Sequence, residues 1–141
     1  LYGNKLPVVA ACTGHAIAMG VFILNACDTR VGTAGDYKIG ANEAITGMNL
    51  PIFAMELSRD RISPTHLTRA TIQGFIYDPK GAVEAGYLDM LPEAGKAEAT
   101  AMGVAAQLAQ LPAASYAWNK QAMRKATLDR IRSSLGAHHK I

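Results

Sequence analysis

With 141 residues, the chain is long enough for one domain with a core of its own. Half of the residues are hydrophobic and 18% are charged, a balance that excludes an intrinsically disordered chain. The net charge is +3, and much of the basic excess lies from Lys120 to Lys140 without interleaved aromatics, which argues against a single-strand nucleic-acid platform.

Residues 7 to 27 are nearly all apolar and long enough to imitate a membrane span. Gly14, His15, Gly20 and Asn25 interrupt the run, and β-branched Val8-Val9 opens it. A buried strand, a glycine turn and a buried helix therefore describe it better. The strand is predicted over Lys5 to Thr13 and the helix over Ala18 to Ala26. Asp28 to Thr33 and Tyr37 to Gly40 read as further short strands, with an irregular segment to Leu50. A helix is expected over Pro51 to Arg59. Ser63-Pro64 and Asp78-Pro79 are cap-plus-proline starts, for helices reaching Gln73 and the neighbourhood of Gly86. Tyr87 to Leu91 reads as a strand, and Glu93 to Gln110 as a helix with Ala97, Ala101, Val104, Ala105 and Leu108 on one side. After Leu111-Pro112 a last helix runs from Ala113 to about Leu135, with Tyr116, Met123, Leu128, Ile131 and Leu135 in one sector. Strands alternate with helices and two long helices follow, which is an α/β portion with a helical tail.

Cys12 and Cys27 lie in apolar surroundings and read as buried reduced thiols, as in a cytoplasmic protein. Cys12-Thr13-Gly14-His15 has the spacing of a metal pair. A closed zinc site needs four ligands, and only Cys27 and the distant His66, His138 and His139 remain, so no metal is expected. Neither a charged n-region nor a cleavage site is seen, so no signal peptide is expected. The chain opens on Leu1 rather than Met, as a portion of a longer protein would. Lys120 and Arg124 fall beside the apolar sector of the last helix and need carboxylates, carbonyls or a ligand phosphate, unless they snorkel. Two chemical capacities stand out. A small-residue turn opening a helix aims free N–H groups and a partial positive charge at one spot, which suits an oxyanion. A carboxylate at Glu43, on the loop after the third strand, can move protons.

The series Lys5-Leu6-Pro7-Val8-Val9-Ala10-Ala11, Gly14-His15-Ala16-Ile17-Ala18-Met19-Gly20 and Cys27-Asp28-Thr29-Arg30 resembles the crotonase superfamily, which includes enoyl-CoA hydratases and isomerases. Ile39-Gly40-Ala41-Asn42-Glu43 resembles that family's Phe-Gly-x-x-Glu segment. Gly86-Tyr87-Leu88 is similar to its Gly-Leu-Val opening of a strand. The resemblance implies the later half of a spiral of ββα turns over residues 1–91, followed by a helical region, 92–141, that builds trimers or hexamers. It implies acyl-CoA as substrate, no further cofactor, and no nucleic-acid or membrane partner.

Two backbone N–H groups would polarise the thioester carbonyl. One maps onto Met19; the other belongs to an earlier loop with no counterpart in these residues. Glu43 would be the acid/base. Ala18, Gly20 and Phe22 would line the substrate, and Lys120 would reach a coenzyme A phosphate across a subunit interface. Hydratases of the family carry a further glutamate where this chain has Phe22, and a phenyl ring cannot activate water. One carboxylate suits a proton shuttle, so the residues tilt toward double-bond isomerisation. The alternatives are a member that binds coenzyme A esters without chemistry, and a helical oligomerisation module. Read without the resemblance, Glu43 is a loop glutamate, His15 packs under the turn, Asp28 and Arg30 are structural, and Asp60 and Arg61 form a solvated pair.

Overall fold

Val8-Val9 starts an extended segment as its β-branched side chains dictate. In the computed structural model, which describes residues 1–137, the ladder is confined to β1, Val9–Ala11. Pro7 has no N–H to give, and the Val8 N–H donates to the Asp28 carboxylate at 2.7 Å instead of to a strand. β1 pairs in parallel with β3, Thr29–Val31, in the register Val9 to Thr29. Between them lie β2, Ala16–Ile17, and α1, Met19–Ala26, the crossover that a parallel pair requires. β2 pairs in parallel with β4, Ile39–Gly40, so the chain alternates between two small parallel sheets. α1 is apolar on nearly every side; Val21, Phe22 and Leu24 enter the main core, whereas Met19 and Ile23 are exposed.

α2 spans Ile52–Arg61. The helix expected from Pro64 to Gln73 is instead α3, Pro64–Leu67, followed by a π-helical turn, Thr68–Ile72. The Thr71 hydroxyl donates to the Leu67 carbonyl at 2.6 Å, and the Gln73 N–H reaches back five residues to Thr68. A side chain competing for a helical carbonyl widens the turn. α4, Pro79–Ala85, follows its sequence signals. Asp78 caps it by accepting the Gly81 N–H at 2.7 Å, and Gly86 ends it at φ +97°.

The strand expected at Tyr87 to Leu91 is reduced to one bridge between Val31 and Met90. Asp89 explains the loss: its carboxylate takes the Arg30 N–H at 2.8 Å and also grips the Arg30 guanidinium, at 2.7 and 2.9 Å. α5, Ala97–Leu108, begins later than expected, after Gly95 at φ +80°. It packs on β1 and β3 through Ala97 and Ala101 against Val31 and Val9. α6, Ala113–Ala137, lies along α2. Its inward stripe is Lys120, Arg124, Thr127, Leu128 and Ile131, at helical spacing. Met123, expected inside, is 84% exposed, and Leu135 is also exposed, because the ion pairs of Lys120 and Arg124 set the helix's rotation. His138, His139 and Lys140 lie outside the described residues.

Candidate active site

The β2–β4 pairing links the two candidate segments. Ala18 N–H donates to the Gly40 carbonyl at 3.1 Å and Ala16 N–H to Lys38 at 3.0 Å. The turn that opens α1 is thereby fastened to the strand that leads to Glu43. At most roughly 11 Å of chain separates the Cα atoms of Gly40 and Glu43.

Ala18 holds φ +52° and ψ −119°, a strained backbone for any residue with a Cβ; such strain costs about 1–3 kcal/mol. Nothing in an alanine signals this conformation. Its effect is to turn the chain abruptly into α1. The N–H groups of Met19 and Gly20 then head the helix with no backbone acceptor among the described residues. Ala18→Gly is expected to stabilise the fold by about 1 kcal/mol, since relief of strain outweighs the greater chain entropy of glycine. Thermal denaturation reads this as a rise of a few degrees; an unchanged or lower midpoint would show that Ala18 carries no strain.

The Met19 side chain is half exposed and lines an open apolar groove of about 390 Å³ with Phe22, Ile23, Ala26, Phe53 and Leu57. Phe22 is buried and meets the Phe53 ring edge to face at 6.0 Å. At Gly20 an added Cβ would sit 3.5 Å from that of Ala16, an ordinary contact, so packing alone does not demand glycine there.

Glu43 is 6% exposed, and its Oε2 is buried without a hydrogen-bond partner among the described residues. Its loop is knotted by hydrogen bonds from the Thr46 and Met48 N–H groups to the Glu43 carbonyl, at 3.1 and 2.9 Å. A buried carboxylate oxygen left unpaired is energetically costly, and such atoms gather where a ligand completes the set.

The other expected residues fall elsewhere. His15 is exposed rather than packed under the turn; its Nδ1 accepts the Lys38 N–H at 2.9 Å and its ring meets Tyr37 edge-on. Lys120 does not offer its charge to a ligand. It is buried, with Nζ 2.7 Å from Asp28 Oδ2 and 2.9 Å from the Leu6 carbonyl. Arg124 pairs with Asp28 Oδ1 at 2.8 Å and donates to the Tyr2 carbonyl at 2.9 Å. Of the partners the two cations could take, carboxylate and carbonyls are the ones present. Burial alone would push the Asp28 carboxyl up. The hydrogen bonds from Lys120, the Val8 N–H and Tyr116, with the charge of Arg124, outweigh it and hold the group below the usual carboxylate range. Asp28 and Arg30 are structural. Asp60 and Arg61 are not a pair: Asp60 accepts from the Tyr2 hydroxyl, and Arg61 donates to the carbonyls of Cys27 and Asp28, each at 2.9 Å. Cys12 and Cys27 are free and buried, and burial pushes both thiols up. Among the described residues no three His, Cys, Asp or Glu side chains are grouped to hold a metal, and no helix is long and apolar enough to cross a membrane.

Parallel strand pairs joined through a buried helix, a strained turn at its start and a buried loop carboxylate define an α/β chain of crotonase-like fold. The family model for Enoyl-CoA hydratase/isomerase matches residues 1–140, and the chain belongs to that family. Human mitochondrial enoyl-CoA delta isomerase 1 is 29% identical over 132 residues, which is 93% of this chain and 44% of that protein. The crystal structure of an enoyl-CoA hydratase/isomerase family protein from Pseudomonas syringae matches 99% of this chain and 62% of its own, with TM-score 0.94 and 34% identity. A Mycobacterium tuberculosis protein, solved once under the name enoyl-CoA isomerase and once as a probable enoyl-CoA hydratase, matches 96% of this chain and 59% or 57% of its own, with TM-score 0.91 and 34% identity. The chain thus spans about half the length of the curated relatives it matches.

Proposed function

We propose that the protein carrying this chain processes acyl-CoA thioesters, with Met19 N–H as one oxyanion donor and Glu43 as the acid/base. The observation that supports the reading is the buried oxygen of Glu43, unpartnered among the described residues, on a loop fastened through β4 to the turn that leads into α1, whose first N–H groups have no backbone acceptor among those residues. An N–H aimed at a thioester oxygen stabilises the enolate that forms when a proton leaves the α-carbon. A single carboxylate then suffices for isomerisation of a 3-enoyl thioester. It takes the proton from C2, the double bond migrates through the dienolate, and the proton returns at C4. Hydration requires a second group to orient water, and the side chain at position 22 is a buried phenyl ring. The mammalian relatives carry isomerase names, which supports the same choice. Ala18, Gly20 and Phe22 would border the acyl group, with the apolar groove beyond Met19 open to its tail.

The exposed Met102, Trp118 and Met123 of α5 and α6 suit contact with further subunits, as a trimer or hexamer that light scattering would read. Free buried thiols suit a reducing compartment such as the cytoplasm.

Product analysis tests the chemistry. The full-length protein with 3-hexenoyl-CoA is expected to give the 2-enoyl thioester. Formation of a 3-hydroxyacyl-CoA from 2-butenoyl-CoA as the main activity would replace isomerase by hydratase. Coenzyme A ester binding without turnover of either would remove the catalytic reading.

A further inference from the structure

Glu43 sits in a compact turn whose hydrogen bonds, among the described residues, all stay inside residues 42–48. The Ile45 and Thr46 N–H groups donate to the Asn42 carbonyl, and the Thr46 hydroxyl joins the Thr46 and Met48 N–H groups on the Glu43 carbonyl. Such bonds hold the turn's own shape and leave its seat on the body of the protein to packing. That packing comes from residues 74–77. Tyr77 and Ile39 exchange both backbone hydrogen bonds, at 2.8 and 2.9 Å, so this segment runs antiparallel to β4. Next along β4, an added Cβ at Gly40 would stand 2.9 Å from the Phe75 carbonyl oxygen. The close approach continues at Gly74, which is buried. A Cβ there would stand 3.1 Å from Ile45 Cγ1, 3.3 Å from Ala44 Cβ and 3.5 Å from the Ile45 nitrogen. Ala44 and Ile45 are the two residues that follow Glu43, so the turn rests directly on this backbone. The support is itself held. Gly74 has φ +66°, the Phe75 N–H donates to the Arg69 carbonyl at 3.0 Å, and the Arg69 guanidinium covers the Phe75 ring at 3.5 Å.

We propose that Gly74 is a positioning residue for Glu43. Its missing side chain lets the turn sit on a fixed backbone, and that seat sets where the carboxylate meets substrate. The proposal rests on Glu43 being the acid/base. A Cβ at Gly74 would force Ala44 and Ile45 to give by a few tenths of an ångström. Glu43 is the next residue along, and misplacing a reacting group by about 1 Å costs about 10²-fold in rate.

Gly74→Ala in the full-length protein, assayed with 3-hexenoyl-CoA, tests it. It is expected to lower kcat about tenfold with KM within about twofold, because binding is retained and only the reacting geometry shifts. Ile45→Ala removes the atom nearest the new Cβ. Ile45 is 65% exposed, so this change alone is expected to alter kcat by less than about twofold. Combined with Gly74→Ala, it is expected to bring kcat back to within about threefold of wild type. In the Glu43→Gln background Gly74→Ala is expected to cost less than about twofold more, since the two residues act as one unit. Gly95→Ala separates strain from contact. Gly95 has φ +80° and nothing within 4 Å of an added Cβ, so this variant is expected to lose thermal stability and keep its kcat. Gly74→Asn is the second variant, since asparagine tolerates positive φ better than alanine. It is expected to show the same kcat loss with a smaller fall in melting temperature. Wild-type kcat in either folded Gly74 variant, no rescue by Ile45→Ala, or an undiminished loss in the Glu43→Gln background would overturn the positioning role while leaving Glu43 as the base. An equal kcat loss in Gly95→Ala, or unfolding of both Gly74 variants, would reduce Gly74 to a backbone requirement and overturn it as well. Full turnover in Glu43→Gln alone would instead remove the base reading itself, and this proposal with it.

Discussion

Glu43→Gln in the full-length protein is expected to lower kcat by about 10²- to 10⁴-fold, the usual contribution of a positioned proton-transfer group. Coenzyme A thioester binding is expected to hold within about threefold. Glutamine has the same shape and can occupy the same buried niche, where Glu43 Oε2 has no partner among the described residues. What it lacks is the capacity to accept a proton from the α-carbon. The variant should therefore separate binding from turnover, with KM little changed and kcat nearly lost. Turnover retained at wild-type level, with binding also unchanged, would show that the proton moves by another group and that the buried position of Glu43 is a matter of packing.

The second large effect concerns the fold. Asp28→Asn is expected to destabilise the protein by about 3–5 kcal/mol in urea unfolding, because two cations lose their counter-ion inside the structure. Lys120 and Asp28 are both nearly inaccessible at their charged ends, with Nζ and Oδ2 2.7 Å apart. Neither Lys120 nor Arg124 can turn to solvent without abandoning the carbonyls of Leu6 and Tyr2.

The same carboxylate gives stability a pH dependence of defined sign. Its folded value lies below the ordinary 3.8, so the unfolded chain takes up the proton first as pH falls. The stabilisation is complete above the ordinary carboxylate range and is lost progressively as pH drops from there through the lower native value. Wild-type protein should lose stability over that acidic window, and Asp28→Asn should lose less. An Asn variant as stable as wild type at neutral pH would mean that the cations find water or other partners.

The broad order of elements was legible because the signals were local: Val8-Val9, the Ser63-Pro64 and Asp78-Pro79 starts, and Gly86 as a stop. What went unread came from contacts distant in sequence or from side chains acting on backbone. Asp89 grips Arg30, 59 residues away, and shortens a strand that Tyr87 to Leu91 would otherwise extend. Thr71 donates to Leu67 and converts half of a predicted helix into a π-helical turn. Lys120 could have been assigned to a ligand or to a carboxylate; only the fold brings Asp28, 92 positions earlier, to its ammonium. Glu43 and Met19 came from the family pattern, since a loop glutamate and a helix-opening amide carry no periodicity of their own. The strain at Ala18 had no signal, because positive φ is rare for alanine and nothing in that residue type announces it.

The ionic knot around Asp28 has a consequence for biosynthesis. Its carboxylate sits near the beginning of this stretch, while both cations that neutralise it are in α6. A nascent chain emerging from the ribosome exposes the anion, and the carbonyls of Tyr2 and Leu6, long before Lys120 and Arg124 are made. The earlier strands must therefore wait in an unlatched form until translation of the last helix is under way, and locking of this region is a late event, dependent on its most distant contacts. Ribosomes stalled ahead of Lys120 should hold a nascent chain that proteases still cut freely.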